Sequence, residues 1–353
     1  MAPRSAELPK TRADKPLLAV LKGERRDPVP MWMMRQAGRY LPEYRQLREE
    51  KGSFLGLVYD AQAAADVTLQ PLDRFPALDA AILFSDILIV PFALGQNLTF
   101  VSGEGPRLTP PLIDGAIDEL TAYPARLDPI YDTVRTVRER LGADKTLIGF
   151  SGSPWTVATY MVAGQGSRDQ SEARRLAYTD PKRFGEIVAR IERVTFDYLS
   201  GQIDAGAEAV QLFDSWAGSL SPAQFERWVI EPTARIVKKL RARHPDVPVI
   251  GFPKGAGGKL AAYARDTKVS AVGLDETVDP VWAAAEIPAD LPVQGNLDPL
   301  ALVAGGKALQ QSVRTVLDAF VGRPHIFNLG HGILQDTPIE NVQQLIRQVK
   351  GGK

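Results

Sequence analysis

Two arginines, Arg35 and Arg39, stand four positions apart in MWMMRQAGRYLPEYRQLR, directly after the apolar run from Met31 to Met34. An arginine presents a planar, permanently charged fork of five donors, so such a pair can grip a carboxylate-rich ligand without any change of protonation. Gln36, Ala37 and Gly38 lie between them, and the glycine lets the backbone come close to a ligand. The competing reading pairs the arginines with Glu43 and Glu49 on a solvated helix. That reading suits Arg45 and Arg48, which lie inside the helical stretch, whereas Arg35 and Arg39 leave the end of a strand.

Asp86 sits between AAILF and ILIV, in the most apolar neighbourhood of the chain. A carboxylate there is costly without donors, and desolvation pushes its pKa upward. It either caps a turn or awaits a ligand with several N–H groups. His331, flanked by Gly330 and Gly332 after a strand, can turn its ring inward if the glycines shape a tight loop, whereas His244 before Pro245 and His325 inside a strand read as structural. Tyr160 falls on a helix that starts near Pro154, and a tyrosine at such spacing is more often core than catalytic. Ser215 reads equally as a cap of the next turn. Lys254, in GFPKGAGG, leaves open a Schiff-base lysine or a phosphate cradle, although the cradle needs a following helix N-terminus and PKGAGG matches no specific phosphate pattern.

The elements that must position these residues alternate. Eight apolar runs of strand length are found: Pro30 to Met34, Ala80 to Phe84, Thr146 to Phe150, Ala207 to Phe213, Val247 to Phe252, Val269 to Leu274, Leu291 to Gln294 and His325 to Leu329. Helical stretches separate them, among them 17–21, 44–50, 61–72 capped by Asp60, a region within 117–141, and 222–243 with Ser221 as N-cap and Pro222 in its first turn. Continuous apolar runs alternating with helices predict an α/β fold, a single (β/α)8 TIM barrel. An extra hairpin after the second strand is expected from Ile87 to Val90 and Leu98 to Val101, with Gly95-Gln96-Asn97 between. The residues following the strands are Arg35, Asp86, Ser151, Asp214, Ser215, Lys254, Asp275, Asn296 and His331, and in this fold chemistry gathers at that rim.

Composition narrows the classes. The 353 residues carry a formal net charge of zero, so no global field draws nucleic acid or an anionic membrane. The absence of cysteine excludes disulfides and thiolate metal sites, and three histidines leave a zinc site dependent on carboxylates, so no metal is expected. A chain without disulfides fits a cytoplasmic protein. Residues 1–16 mix charges with Pro3, Pro9 and Pro16 and lack an apolar core, which reads as a mobile N-terminal arm rather than a signal peptide, with residues 17–350 forming the barrel domain. The apolar stretch from Ala80 to Leu94 is broken by Asp86 and too short for a membrane span.

The segment MRQAGRYLPEYR, with FSDIL, GSPWTVATYM, FDSWAG and NLGHGI in this order over nearly the whole chain, resembles the uroporphyrinogen decarboxylase family. The resemblance implies a (β/α)8 barrel, a homodimer with facing clefts, and no metal or organic cofactor. It implies uroporphyrinogen III as substrate, with each acetate arm losing carbon dioxide to give coproporphyrinogen III. It carries substrate binding to Arg35, Gln36, Ala37, Gly38, Arg39, Asp86, Tyr160, Ser215 and His331, and catalysis to Asp86, Arg35 and Arg39. FDSWAG differs from some members at Trp216. Two other readings remain: a barrel methyltransferase related to cobalamin-dependent enzymes, which hold zinc through cysteine and histidine, and a tetrapyrrole carrier without chemistry.

Overall fold

The apolar runs fold into parallel strands whose residues are buried on both faces, as a sheet covered by helices requires. The computed structural model describes residues 15–101, 105–115 and 117–351. In chain order the strands are β1 (Ala80–Ile82), β2 (Asn97–Val101), β3 (Gly105–Thr109), β4 (Thr146–Gly152), β5 (Ala209–Asp214), β6 (Val249–Pro253), β7 (Ala271–Gly273), β8 (Val293–Gln294) and β9 (His325–Ile326). Seven of them form one parallel sheet in the order β1-β4-β5-β6-β7-β8-β9, with registers such as Ala81 opposite Leu147 and Leu212 opposite Gly251.

Residues 30–34 close the ring between β9 and β1. Met31 bridges Phe327 in parallel, the Phe327 N–H donates to the Pro30 carbonyl at 2.8 Å, and the Asp79 N–H donates to the Met31 carbonyl at 2.9 Å. The fold is the expected (β/α)8 barrel, with one physical difference at this eighth position. The Met31 N–H donates to the Asp79 carboxylate at 2.6 Å and the Met34 N–H to Asn328 Oδ1 at 2.9 Å. Side chains take donors that a regular ladder would pair with backbone, so the segment makes a single bridge instead of a long strand.

The hairpin after the second barrel strand is present, but built from other residues than expected. Asn97–Val101 pairs antiparallel with Gly105–Thr109, while Ile89–Ala93 is a short helix. Pro91 cannot donate to a ladder yet is tolerated in a first helical turn, and Asp86 Oδ1 accepts the Leu88 N–H at 2.7 Å and starts that turn. The helix expected within 117–141 begins only at Asp128 (Asp128–Arg140), preceded by 3₁₀ turns at Ile117–Glu119 and Pro124–Leu127. The 222–243 stretch contains a π turn at Glu226–Ile230. Ser221 occupies the N-cap position, but its hydroxyl bonds Tyr178 Oη at 3.2 Å instead of the helix backbone, whereas Asp60 caps as expected through the Ala63 N–H.

Trp32, Trp155, Tyr198, Phe184, Phe252 and Phe327 are among the largest fully buried side chains. Inside the ring, Trp32 Nε1 donates to Gln294 Oε1 at 2.9 Å and Gln294 Nε2 to Gln211 Oε1 at 3.1 Å, an amide chain that crosses the barrel. Of the expected N-terminal arm, residues 1–14 lie outside the described residues, and Pro16 already opens the helix Pro16–Leu21. Among the described residues no helix is long and apolar enough to cross a membrane.

Candidate active site

The loop after the closing segment and the loop after β9 are clipped together, and the clip brings residues almost three hundred positions apart to one place. Met34 donates its N–H to Asn328, and the Ile333 N–H donates to the Met34 carbonyl at 2.9 Å. Arg35 then takes a left-handed backbone with φ 58, a conformation that costs a non-glycine residue roughly 1–2 kcal/mol. Its side chain lies flat on the opposite loop: a Cβ at Gly332 would stand 2.4 Å from Arg35 Cδ. Neither Gly330 nor Gly332 has a left-handed φ, so these glycines serve close approach instead of the tight turn expected from sequence.

Arg35 and Arg39 are exposed, and neither guanidinium has a carboxylate partner among the described residues. Glu43, their nearest acidic neighbour in sequence, is held by Arg74 through two bonds of 2.7 and 2.8 Å. Arg45 donates to the Arg39 carbonyl at 2.8 Å, so it is structural, but through a backbone oxygen instead of the glutamate pairing expected for it. Ala37 and Gly38 are half-buried in the turn between the two arginines. Gln36 is fully buried; its amide accepts the Met33 N–H at 3.1 Å and donates to the Ala80 carbonyl at 3.0 Å, tying the arginine turn to β1.

Asp86 faces the same mouth. Desolvation raises its pKa, opposed by the Leu88 N–H and by the charge of Arg35. The same guanidinium acts on Tyr160, whose pKa is raised by burial while the Trp216 side chain lowers it, Asp86 raises it and Arg35 lowers it. It acts also on His331, which burial, Lys254 and Arg35 push down to about 4 against Asp275. One cation felt by Asp86 and His331, on two loops, and by Tyr160, on the helix Pro154–Ala163, groups these four residues at one mouth. His331 is consequently neutral at pH 7 and can donate one N–H and accept at the other nitrogen. His325 is core, with Nε2 on the Gly295 carbonyl at 2.7 Å, and His244 ends a helix 4.0 Å from Asp204, both as expected.

Ser215 is half-buried on the β5 loop, and among the described residues no side-chain hydrogen bond or ion pair joins it or Arg39 to the central four. That loop is held by a relay that sequence reading passed over. The Thr156 hydroxyl donates to Asp214 Oδ1 at 2.5 Å and accepts the Trp216 N–H at 3.0 Å, and Trp155 Nε1 donates to the Trp216 carbonyl at 3.0 Å. Asp214 is fully buried, its Oδ2 has no hydrogen-bond partner, and burial pushes its pKa up to about 7 against the Thr156 bonds. The only signal for it in sequence was its place at a strand end.

Other strand-end residues are engaged within the chain. Asp275 accepts the Gly255 N–H at 2.7 Å and both donors of Thr277, and Asn296 donates to the Asp275 and Val278 carbonyls. Because the Gly255 amide is already taken by a carboxylate, the PKGAGG loop is a poor phosphate cradle. Among the described residues no cluster of three or more His, Cys, Asp or Glu could hold a metal ion.

A family profile described as uroporphyrinogen decarboxylase (URO-D) matches residues 12–351. The chain belongs to the uroporphyrinogen decarboxylase family. A uroporphyrinogen decarboxylase of Rhizorhabdus wittichii is 67% identical over 337 residues, covering 96% of this chain and 98% of that relative. One of Sphingopyxis alaskensis is 65% identical over 338 residues, covering 96% and 98%. Among solved structures, a methyltransferase from Methanosarcina mazei superposes with a TM-score of 0.77 at 18% identity, covering 95% of this chain and 97% of that one, which is a likeness of fold. The uroporphyrinogen decarboxylase family thus accounts for the barrel, and the arginine turn and its facing loops are where its members' activity would be housed.

Proposed function

We propose that this chain is a carboxy-lyase that converts uroporphyrinogen III to coproporphyrinogen III and carbon dioxide by removing the carboxyl group of each acetate arm, with the mouth around Arg35 and Asp86 as its active site. The observation that carries the site is the clip of Met34 to Asn328 and Ile333, which lays the Arg35 side chain on the loop of His331, where its charge also bears on Asp86 and Tyr160.

Breaking the bond to a carboxyl group leaves an electron pair that needs a sink. Protonation of the pyrrole carbon beside the arm turns the ring into a cation, which accepts that pair as carbon dioxide departs; a second proton then completes the methyl group and the first leaves the ring carbon, restoring the pyrrole with one net proton taken up per arm. Asp86 stands in a desolvated position with a single backbone donor on Oδ1. A carboxylate poorly served in the empty site gains most when ring N–H groups and a developing cation arrive, and such preorganised charge is usually the largest catalytic contribution. Arg35 and Arg39 hold carboxylate arms, Gln36, Ala37 and Gly38 shape the turn that presents them, and Tyr160, Ser215 and neutral His331 offer further donors. Either arginine, or a water it holds, relays the proton. In this reading the enzyme works in the cytoplasm within tetrapyrrole biosynthesis, as a homodimer, with residues 17–350 as one domain.

Anaerobic incubation with uroporphyrinogen III, followed by carbon dioxide measurement and a count of carboxyl groups on the product, tests the function. Four carboxyl groups lost per macrocycle is the expected result. Recovery of the tetrapyrrole intact, however tightly held, would make the protein a carrier.

A further inference from the structure

Lys254 has no place in the assignments above, although it leaves β6 at the same rim. The ring order puts β6 four positions from the closing segment that carries Arg35, on the far side of an eight-membered barrel. Its backbone is locked: the Lys254 N–H donates to the Asp214 carbonyl at 3.0 Å and its carbonyl accepts the Gly218 N–H at 3.0 Å, which fixes it to the loop of Ser215. Its side chain is 27% exposed, and among the described residues the one carboxylate it pairs with is Glu276, at 3.8 Å. That separation is outside hydrogen-bond range, so no acceptor among the described residues takes an N–H of this ammonium. Pairs that brace the fold close much further, as in Lys15 to Glu208 at 2.6 Å and Arg235 to Glu192 at 2.7 Å.

Glu276 is itself incompletely served, since its Oε2 is buried without a hydrogen-bond partner. The loop of His331 presses directly on it, because a Cβ at Gly330 would stand 2.2 Å from the Glu276 N. The charges of Lys254 and Arg35 both bear on His331, and the ring order sets the strands they follow on opposite sides of the barrel. The proposed substrate carries four acetate and four propionate arms around a wide ring, more carboxylates than two neighbouring arginines can reach from one rim.

We propose that Lys254 is a further substrate-binding residue, gripping a carboxylate arm across the mouth from Arg35 on the same rim, with Glu276 as the counter-charge it leaves when that arm arrives. The inference rests on the function proposed above. An incoming carboxylate takes up the three unsatisfied ammonium donors, and Glu276 keeps the empty site from holding a bare cation. An ammonium, unlike a guanidinium, serves as a point charge able to follow an arm as the ring turns to present the next one.

Steady-state kinetics with uroporphyrinogen III test it. Lys254→Met is expected to raise KM roughly tenfold or more, as loss of a charge-assisted hydrogen bond does, with Lys254→Arg recovering most of the affinity. Glu276→Gln removes the competing carboxylate and is expected to lower KM. Lys254→Gln replaces the methionine variant if that one does not fold, as judged by circular dichroism. A KM within twofold of the parent in the folded lysine variant overturns the proposal. So does an equal rise of KM in the Lys254 and Glu276 variants, which would mark the pair as a brace of the loop. A parent that releases no carbon dioxide refutes the proposed function itself, whereas an active parent with an indifferent lysine variant refutes this inference alone.

Discussion

The two ends of the barrel treat charge in opposite ways. Where the strands begin, ionic groups are closed on one another. Glu208, just before β5, accepts Lys15 at 2.6 and 2.7 Å, Arg138 at 2.8 Å and the Leu147 N–H at 3.2 Å. Asp79, just before β1, is held by Lys350 while taking the Met31 N–H. Arg323, before β9, points its terminal nitrogens at the carbonyls of Ala284, Ile287, Pro288 and Leu291. Where the strands end, among the described residues Arg35 and Arg39 have no carboxylate partner, Asp86 has one backbone donor, and Asp214 keeps an oxygen without a partner. Bracing a ring needs partners supplied by the chain, whereas binding a polyanion needs partners withheld until it arrives.

That contrast can be broken most sharply at Asp86. Asp86→Asn keeps the Leu88 N–H bond and loses the charge, and turnover should fall by roughly 10²-fold or more; near-parental turnover in a carbon dioxide assay would remove Asp86 from the chemistry. Arg35→Lys replaces the fork by a point charge and should lower kcat/KM roughly tenfold. Kinetics indistinguishable from the parent would show that no arm is gripped there.

Stability effects come next. Because the folded pKa of Asp214 is raised to about 7 from an ordinary value of 3.8, its neutral form favours the fold. Its contribution is fully present below pH 3.8 and is lost as pH rises through about 7, on the order of 4 kcal/mol in all. Urea unfolding across that window should find the advantage of parent over Asp214→Asn shrinking as pH rises; parallel curves would place the carboxylate in contact with an unseen partner. Smallest, and without kinetic consequence, is Glu208→Gln at the braced end. It leaves Lys15 and Arg138 without their carboxylate and should cost about 2 kcal/mol, with kcat and KM unchanged. A loss of activity in a variant still folded would erase the division between the two ends.

Much of this was legible in the chain. The eight apolar runs, the arginines after the first, the lone Asp86 and the glycine-flanked His331 are local patterns, and the barrel orders them. The errors were local as well. Ile87 to Val90 reads as a strand because a short apolar run has no period to distinguish it from a helix, and only Pro91 and the Asp86 turn decide the matter. Gln36 reads as one of five ligand-facing residues, yet its side chain ties Met33 to Ala80. Asp214 reads only as a strand-end residue, because nothing beside it in sequence reveals that Thr156 is its partner.

The sequence by itself determined the class of fold, the order of its strands and which polar residues stand at their ends, since burial on both faces and turn chemistry are written in neighbouring residues. Only the tertiary structure decided which of those polar residues remain available. Asp275 and Gln36 are engaged by groups of the chain itself, while Arg35, Asp86, Lys254 and His331 have no side-chain hydrogen-bond partner among the described residues. Those outcomes depend on ring closure between residues 30–34 and Phe327, a contact that no local pattern encodes.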